Sequence, residues 1–237
     1  MKNEVLIGCS SYNNRFWKGI FYPDNMSGSG FFTFYCQYFN TYEFNGSFYK
    51  FPTVKIFDNW YKKAPENFIF SVKAPKEITH IRKFNDCENL LSEFYNVCQT
   101  GLKEKLGCVL FQFPPSYSFT SEKLHDIIGK LDLNFKNVIE FRHQSWWNQE
   151  VWDAFLAHNI TFCSVSHPQL PQTIFKDFPL IYIRLHGIPK MFYSSYDTKE
   201  LLDIKDATDL KSAFVYFNNT ASEAGILNAL ELKHMLE

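Results

Sequence analysis

The feature that most constrains this chain is an alternation, kept up from end to end, between short strand-like runs and segments with apolar residues at helical spacing. Strand-like runs rich in β-branched and aromatic residues fall at 5–8, 41–44, 68–73, 108–112, 137–141, 160–165, 180–185 and 213–217, eight in all. Helical patterns cover about 54–63, 88–102, 121–131 and 149–158, with Ser121 expected as the cap of the third. Strands separated by helices predict parallel pairing, in a closed barrel or an open doubly wound sheet. Periodicity alone does not choose between the two. The first strand runs into Gly8-Cys9-Ser10-Ser11-Tyr12, which lacks the glycine spacing that brings a helix N-terminus against a pyrophosphate, so no nucleotide cofactor is expected.

A chain of 237 residues fits one barrel domain spanning 1–237. Apolar residues make up 46%, including 26 Phe and 13 Tyr, enough to bury a large core. Lys plus Arg number 24 against 25 Asp plus Glu, which does not indicate a nucleic-acid surface and leaves any positive field local. The six cysteines show neither a C-x-x-C pair nor histidines at zinc-ligand spacing, so no metal is expected. Every apolar run is cut by charge, Pro or Gly before reaching the length of a membrane span, and no secretory leader precedes the first strand. The expectation is a soluble, cytoplasmic protein without a membrane partner.

The strand ends carry the chemistry. Ser10, Glu43 with Asn45, Lys73, Gln112, Glu140 with Arg142 and His143, Arg184 with His186, and Asn218 with Asn219 are seven groups closing distinct strands. In a barrel all strands end on one face, so such groups would converge on a single mouth. Glu140 and Arg142 alternate on one strand and also fit a buried structural pair. His143 and His186 follow strands directly, whereas His125, His158 and His234 sit on helical segments that face solvent, and His80 reads as loop packing. Trp146, like Trp17 and Trp147, suits either stacking on a ligand or core filling.

Several blocks resemble one family. They are Gly8-Cys9-Ser10 through Phe21-Tyr22-Pro23, then Tyr38-Phe39-Asn40-Thr41-Tyr42-Glu43-Phe44-Asn45, Val72-Lys73-Ala74-Pro75 and Val109-Leu110-Phe111-Gln112-Phe113-Pro114-Pro115. Glu140-Phe141-Arg142-His143, Ile183-Arg184-Leu185-His186-Gly187 and Val215-Tyr216-Phe217-Asn218-Asn219 continue the series. In order and over nearly the whole chain, these are similar to the YecE-like family, a numbered domain of unknown function. The resemblance implies a single TIM-type (β/α)8 barrel, parallel strands inside and helices outside, with an undetermined activity. Ser11 stands where relatives have Gly, Gly46 where they have Ser, and Ser164-Val165-Ser166-His167 lacks the acid many relatives place there.

At such a mouth Lys73, Arg142 and Arg184 outnumber Glu43 and Glu140, which points to an anionic small-molecule ligand. The leading expectation is an enzyme on a phosphate- or carboxylate-bearing substrate, using no cofactor. Glu43 or Glu140 would be the base, and His143 or His186 the acid. Ser10, Asn45, Lys73, Gln112, Arg142, Trp146, Arg184, Asn218 and Asn219 would bind substrate. Two alternatives use the same residues: a metal-dependent phosphodiesterase, and a non-catalytic anion- or sugar-binding barrel. A glycosidase would need Glu43 and Glu140 to face each other across the substrate.

Overall fold

A computed structural model of the chain describes residues 4–237. In chain order the strands are β1 Val5–Cys9, β2 Thr41–Phe44, β3 Ile69–Lys73, β4 Leu106–Gln112, β5 Asn137–Glu140, β6 Thr161–Phe162, β7 Ser164–Ser166, β8 Leu180–Leu185 and β9 Ser212–Phe217. The helices are α1 Phe31–Tyr35, α2 Gly46–Tyr49, α3 Val54–Lys63, α4 Glu88–Leu102, α5 Ser121–Lys130, α6 Gln149–Ala157, α7 Thr198–Thr208 and α8 Ala224–Leu236. The result is an α/β fold with parallel strands and intervening helices. The expected strand at 160–165 is two short strands on either side of Cys163, so that one predicted element becomes two. Thr120 rather than Ser121 caps α5: its side chain accepts from the Lys123 N–H, because extended backbone at Thr120 aims its hydroxyl along the first turn.

The chain divides into two compact units. The first contains the chain up to Glu43, Ala64–Phe68 and Ser164–Glu237. Its sheet runs β1-β9-β8-β7, all parallel, with Val5 opposite Ala213, Leu180 opposite Ser212 and Ser166 opposite Leu185. Nearly every residue of these strands is buried, as expected of parallel strands covered on both faces. Aromatic packing fills the segment after β1, where Tyr22 and Phe31 stack at 4.1 Å.

Between β1 and β2 the Tyr35 hydroxyl is inserted. It accepts from the Cys9 N–H at 2.8 Å and donates to the Thr41 carbonyl at 2.9 Å. Gly8 makes this approach possible, since a Cβ there would lie 2.4 Å from the Thr41 carbonyl oxygen and 2.8 Å from the phenol.

The second unit contains Phe44–Lys63 and Ile69–Cys163. Its strands β3-β4-β5-β6 are parallel, and Gln112 lies opposite Glu140 at the carboxyl ends of β4 and β5. Leu91, Phe94, Tyr95 and Cys98 on α4 and Leu124 and Ile127 on α5 form buried stripes at helical spacing. After β5, Phe141 and Trp146 stack face to face at 3.8 Å, and Trp146 continues onto Tyr117 at 5.6 Å. No helix among the described residues is long and apolar enough to cross a membrane.

Candidate functional site

Polar strand ends gather in two clusters, one in each unit. In the first, Tyr182 and Arg184 alternate along β8 and therefore point to one face. The Glu43 carboxylate, fully buried at the end of β2, takes Arg184 Nη2 on Oε1 at 2.8 Å and Arg184 Nε on Oε2 at 2.9 Å. The Tyr182 hydroxyl donates to Oε2 at 2.8 Å, and Asn218 Nδ2 donates to Oε1 at 3.2 Å. This bidentate clasp supplies both the neutralising charge and the hydrogen bonds that a buried carboxylate requires. Asn218 Oδ1 and Asn219 Oδ1 are buried without a hydrogen-bond partner among the described residues, while Asn219 Nδ2 donates to the Ser194 carbonyl. His186 is buried with its ring 5.9 Å from that of His167, which follows β7. Ser10, half-buried, donates its backbone N–H to the Phe217 carbonyl.

The second cluster lies at the ends of β3, β4 and β5. Lys73 is 9% exposed; its Nζ donates to Gln112 Oε1 at 2.7 Å and lies 4.1 Å from the centroid of the Phe48 ring. The short helix α2 carries Phe48 and is pinned to β3 by Ser47, whose hydroxyl donates to the Lys73 carbonyl at 2.5 Å. Asn45, at the N-terminus of α2, makes no side-chain cap. Glu140 is fully buried, one oxygen held by Arg142 Nε and the other 4.0 Å from the Cys163 thiol. That thiol is one of six free cysteines.

His80 belongs to this cluster, although its place in the sequence suggests loop packing. It sits in a π-helical turn, Glu77–Ile81, a rare geometry frequent at functional sites. The turn follows Pro75 and leads into Lys83, Phe84 and Asp86, all with positive φ. Phe84, fully buried between Phe111 and Phe113, fixes this strained segment. The His80 ring packs edge-on with Phe48 at 4.9 Å, and Nδ1 lies 2.9 Å from the Thr79 hydroxyl. Burial, then the charges of Lys73 and Arg142, with Lys83 adding and Glu140 opposing, pull its pKa down to about 4.

The structure thus brings Glu43, Arg184 and Asn218 together in one unit, and Lys73 with Gln112 and Glu140 with Arg142 in the other. Trp146 is fully buried in its aromatic stack with its indole N–H donating to the Tyr117 carbonyl, so it takes the core-filling role. His143 is half-buried and caps a helical turn, its Nδ1 accepting from the Ser145 N–H. His125, His158 and His234 are exposed, as their helical positions predict. Tyr182, read from sequence as strand core, joins the Glu43 network because a phenol buries its ring and still offers a donor. Among the described residues no three His, Cys, Asp or Glu side chains gather as ligands for a metal ion.

A family model described as "Protein of unknown function DUF72" matches residues 6–237. The chain belongs to the DUF72 family. Among similar proteins, UPF0759 protein YunF of Bacillus subtilis (strain 168) is 23% identical over 91% of this chain and 90% of its own length. UPF0759 protein YecE of Escherichia coli (strain K12) is 25% identical over 48% of this chain and 42% of its own length. The crystal structure of a DUF72 family protein from Thermotoga maritima superposes with a TM-score of 0.86 at 26% identity, covering 98% of both chains. One from Enterococcus faecalis gives 0.82 at 19% identity, covering 98% of this chain and 95% of the other, a likeness of fold alone. DUF72 membership agrees with the resemblance read from the strand-end blocks.

Proposed function

We propose that this DUF72 protein is an enzyme that binds a small phosphate- or carboxylate-bearing substrate at the ends of β3, β4 and β5. The observation that carries the reading is the pair of cations at these strand ends, Lys73 buried at the end of β3 and Arg142 just past β5, beside one buried carboxylate, Glu140. Cations in excess of carboxylates attract an anion, and both an ammonium and a guanidinium suit phosphate or carboxylate oxygens. Lys73 is held in place by the Gln112 amide and the Phe48 ring, so it is ordered before any ligand arrives. Arg142 would share its guanidinium between Glu140 and the anion. In this reading Glu43 and Arg184 serve each other rather than the substrate, because the carboxylate takes two guanidinium nitrogens.

The closed eight-stranded barrel is part of the same proposal, and an experimental structure that shows the strand ladders tests it. So is a cytoplasmic setting, supported by six free cysteines, of which five are buried and Cys36 half-buried. The functional test is thermal stability in rising phosphate, sulfate and malonate. Ligand at about 100 times its dissociation constant contributes about 2.7 kcal/mol, and Lys73→Met should abolish the rise. Absence of any rise with all three anions in the unaltered protein overturns the proposal.

A further inference from the structure

We infer that His80 is the proton-exchanging residue of this anion site, taking up one proton from solvent as a tetrahedral dianion binds and presenting it to that ligand. The inference rests on the anion-site reading above and deepens it by naming the ligand class. Geometry comes first. The π-helical turn and the left-handed residues after it hold the imidazole against Phe48, the same ring that Lys73 covers. Thr79, fully buried, puts its hydroxyl 2.9 Å from Nδ1, an acceptor for that nitrogen once the ring is protonated. Nε2 is then the second donor, and in this inference the one that meets a ligand oxygen.

Charge fixes the direction of the coupling. The groups acting on the ring are Lys73 from β3, Arg142 and Glu140 at the end of β5, and Lys83 from its own loop; Phe48 from α2 and Thr79 are uncharged. Burial first, and then the excess of these cations over the carboxylate, keeps the imidazole neutral near neutral pH. A dianion cancels that excess more fully than a monocarboxylate does, and so removes the part of the opposition to a protonated ring that charge supplies, burial remaining. Binding and protonation therefore favour each other, by the same factor in both directions. The proton passes from solvent to the imidazole, and the imidazolium then donates to the bound oxygen. A phosphomonoester presents the same tetrahedral dianion, with a bridging oxygen that needs a proton as it departs.

Sulfate is the probe, because its charge is constant over the working range. Calorimetry in buffers of different ionisation enthalpy should show net proton uptake, at most one per sulfate, near pH 5, and affinity should rise by at most about tenfold per pH unit as pH falls below about 6.5 towards 4. His80→Gln should still bind sulfate at about pH 7 but lose both the proton uptake and the pH slope. Sulfate binding without proton uptake in the unaltered protein, or uptake that persists in the variant, overturns the role of His80 and leaves the anion site standing. No sulfate binding at any pH overturns the role of His80, and if phosphate and malonate fail to bind as well the anion site falls with it. Should the variant fail to fold, ring NMR of the unaltered protein decides: the His80 resonances must move to the protonated position on adding sulfate, and unmoved resonances reject the inference.

Discussion

Arg184 clasps Glu43 with two nitrogens, Nε at 2.9 Å and Nη2 at 2.8 Å, although the two residues lie 141 positions apart in sequence. Both are buried, so each is the other's principal solvent substitute. Removing one partner strands the other's charge, and Arg184→Ala should lower stability by about 3–5 kcal/mol. Replacing both by apolar residues of similar size should cost much less. Urea unfolding of the single and double variants measures the difference, and equal losses would show that the clasp contributes nothing beyond packing.

Tyr35→Phe deletes one oxygen and leaves the Cys9 N–H and the Thr41 carbonyl without the bonds they make to it. A stability loss of about 1–3 kcal/mol is expected, far more than a surface hydroxyl would give. A change within experimental error would mean that water or a backbone shift replaces the phenol.

Trp146→Leu keeps the position apolar but removes the stack on Phe141 and Tyr117 and the bond to the Tyr117 carbonyl. The expected loss is about 3 kcal/mol, with no change in sulfate affinity. Altered affinity at unaltered stability would instead return Trp146 to the ligand site.

The low pKa of His80, about 4, makes stability depend on pH. Unfolded, the imidazole binds a proton near its ordinary value of about 6.5; folded, it resists. Between these values the unfolded chain holds more protons, so this contribution is present above about pH 6.5 and is lost as pH falls towards 4. Unfolding free energies of His80→Gln should fall less steeply across that window than those of the unaltered protein. Parallel curves would assign the acid sensitivity to other groups.

The strands were legible because buried parallel strands are continuous apolar runs, and the polar residues that end them stand out against that background. Glu43, Lys73, Gln112, Glu140, Arg142 and Arg184 were found in this way. Alternation pairs Glu140 with Arg142 in the sequence, as the structure does, but that Glu43 meets Arg184 could not be read, since those two share no local pattern. Tyr182 was hidden because its ring satisfies the strand pattern on its own. His80 reads as loop packing in the sequence because a π-helical turn has no periodic signature and its neighbours Lys73 and Arg142 come from strand ends elsewhere. The break at Cys163 fell inside an unbroken run of β-forming residues, where composition gives no warning.

The phenol between Cys9 and Thr41 has an evolutionary consequence. A backbone rung is indifferent to side-chain identity, whereas this one is made by the oxygen of a single residue and admitted by the missing Cβ of another. Positions 8 and 35 are therefore expected to change together across lineages. A family member that gains a side chain at the first should have given up the tyrosine at the second and joined its first two strands by direct amide-to-carbonyl bonds.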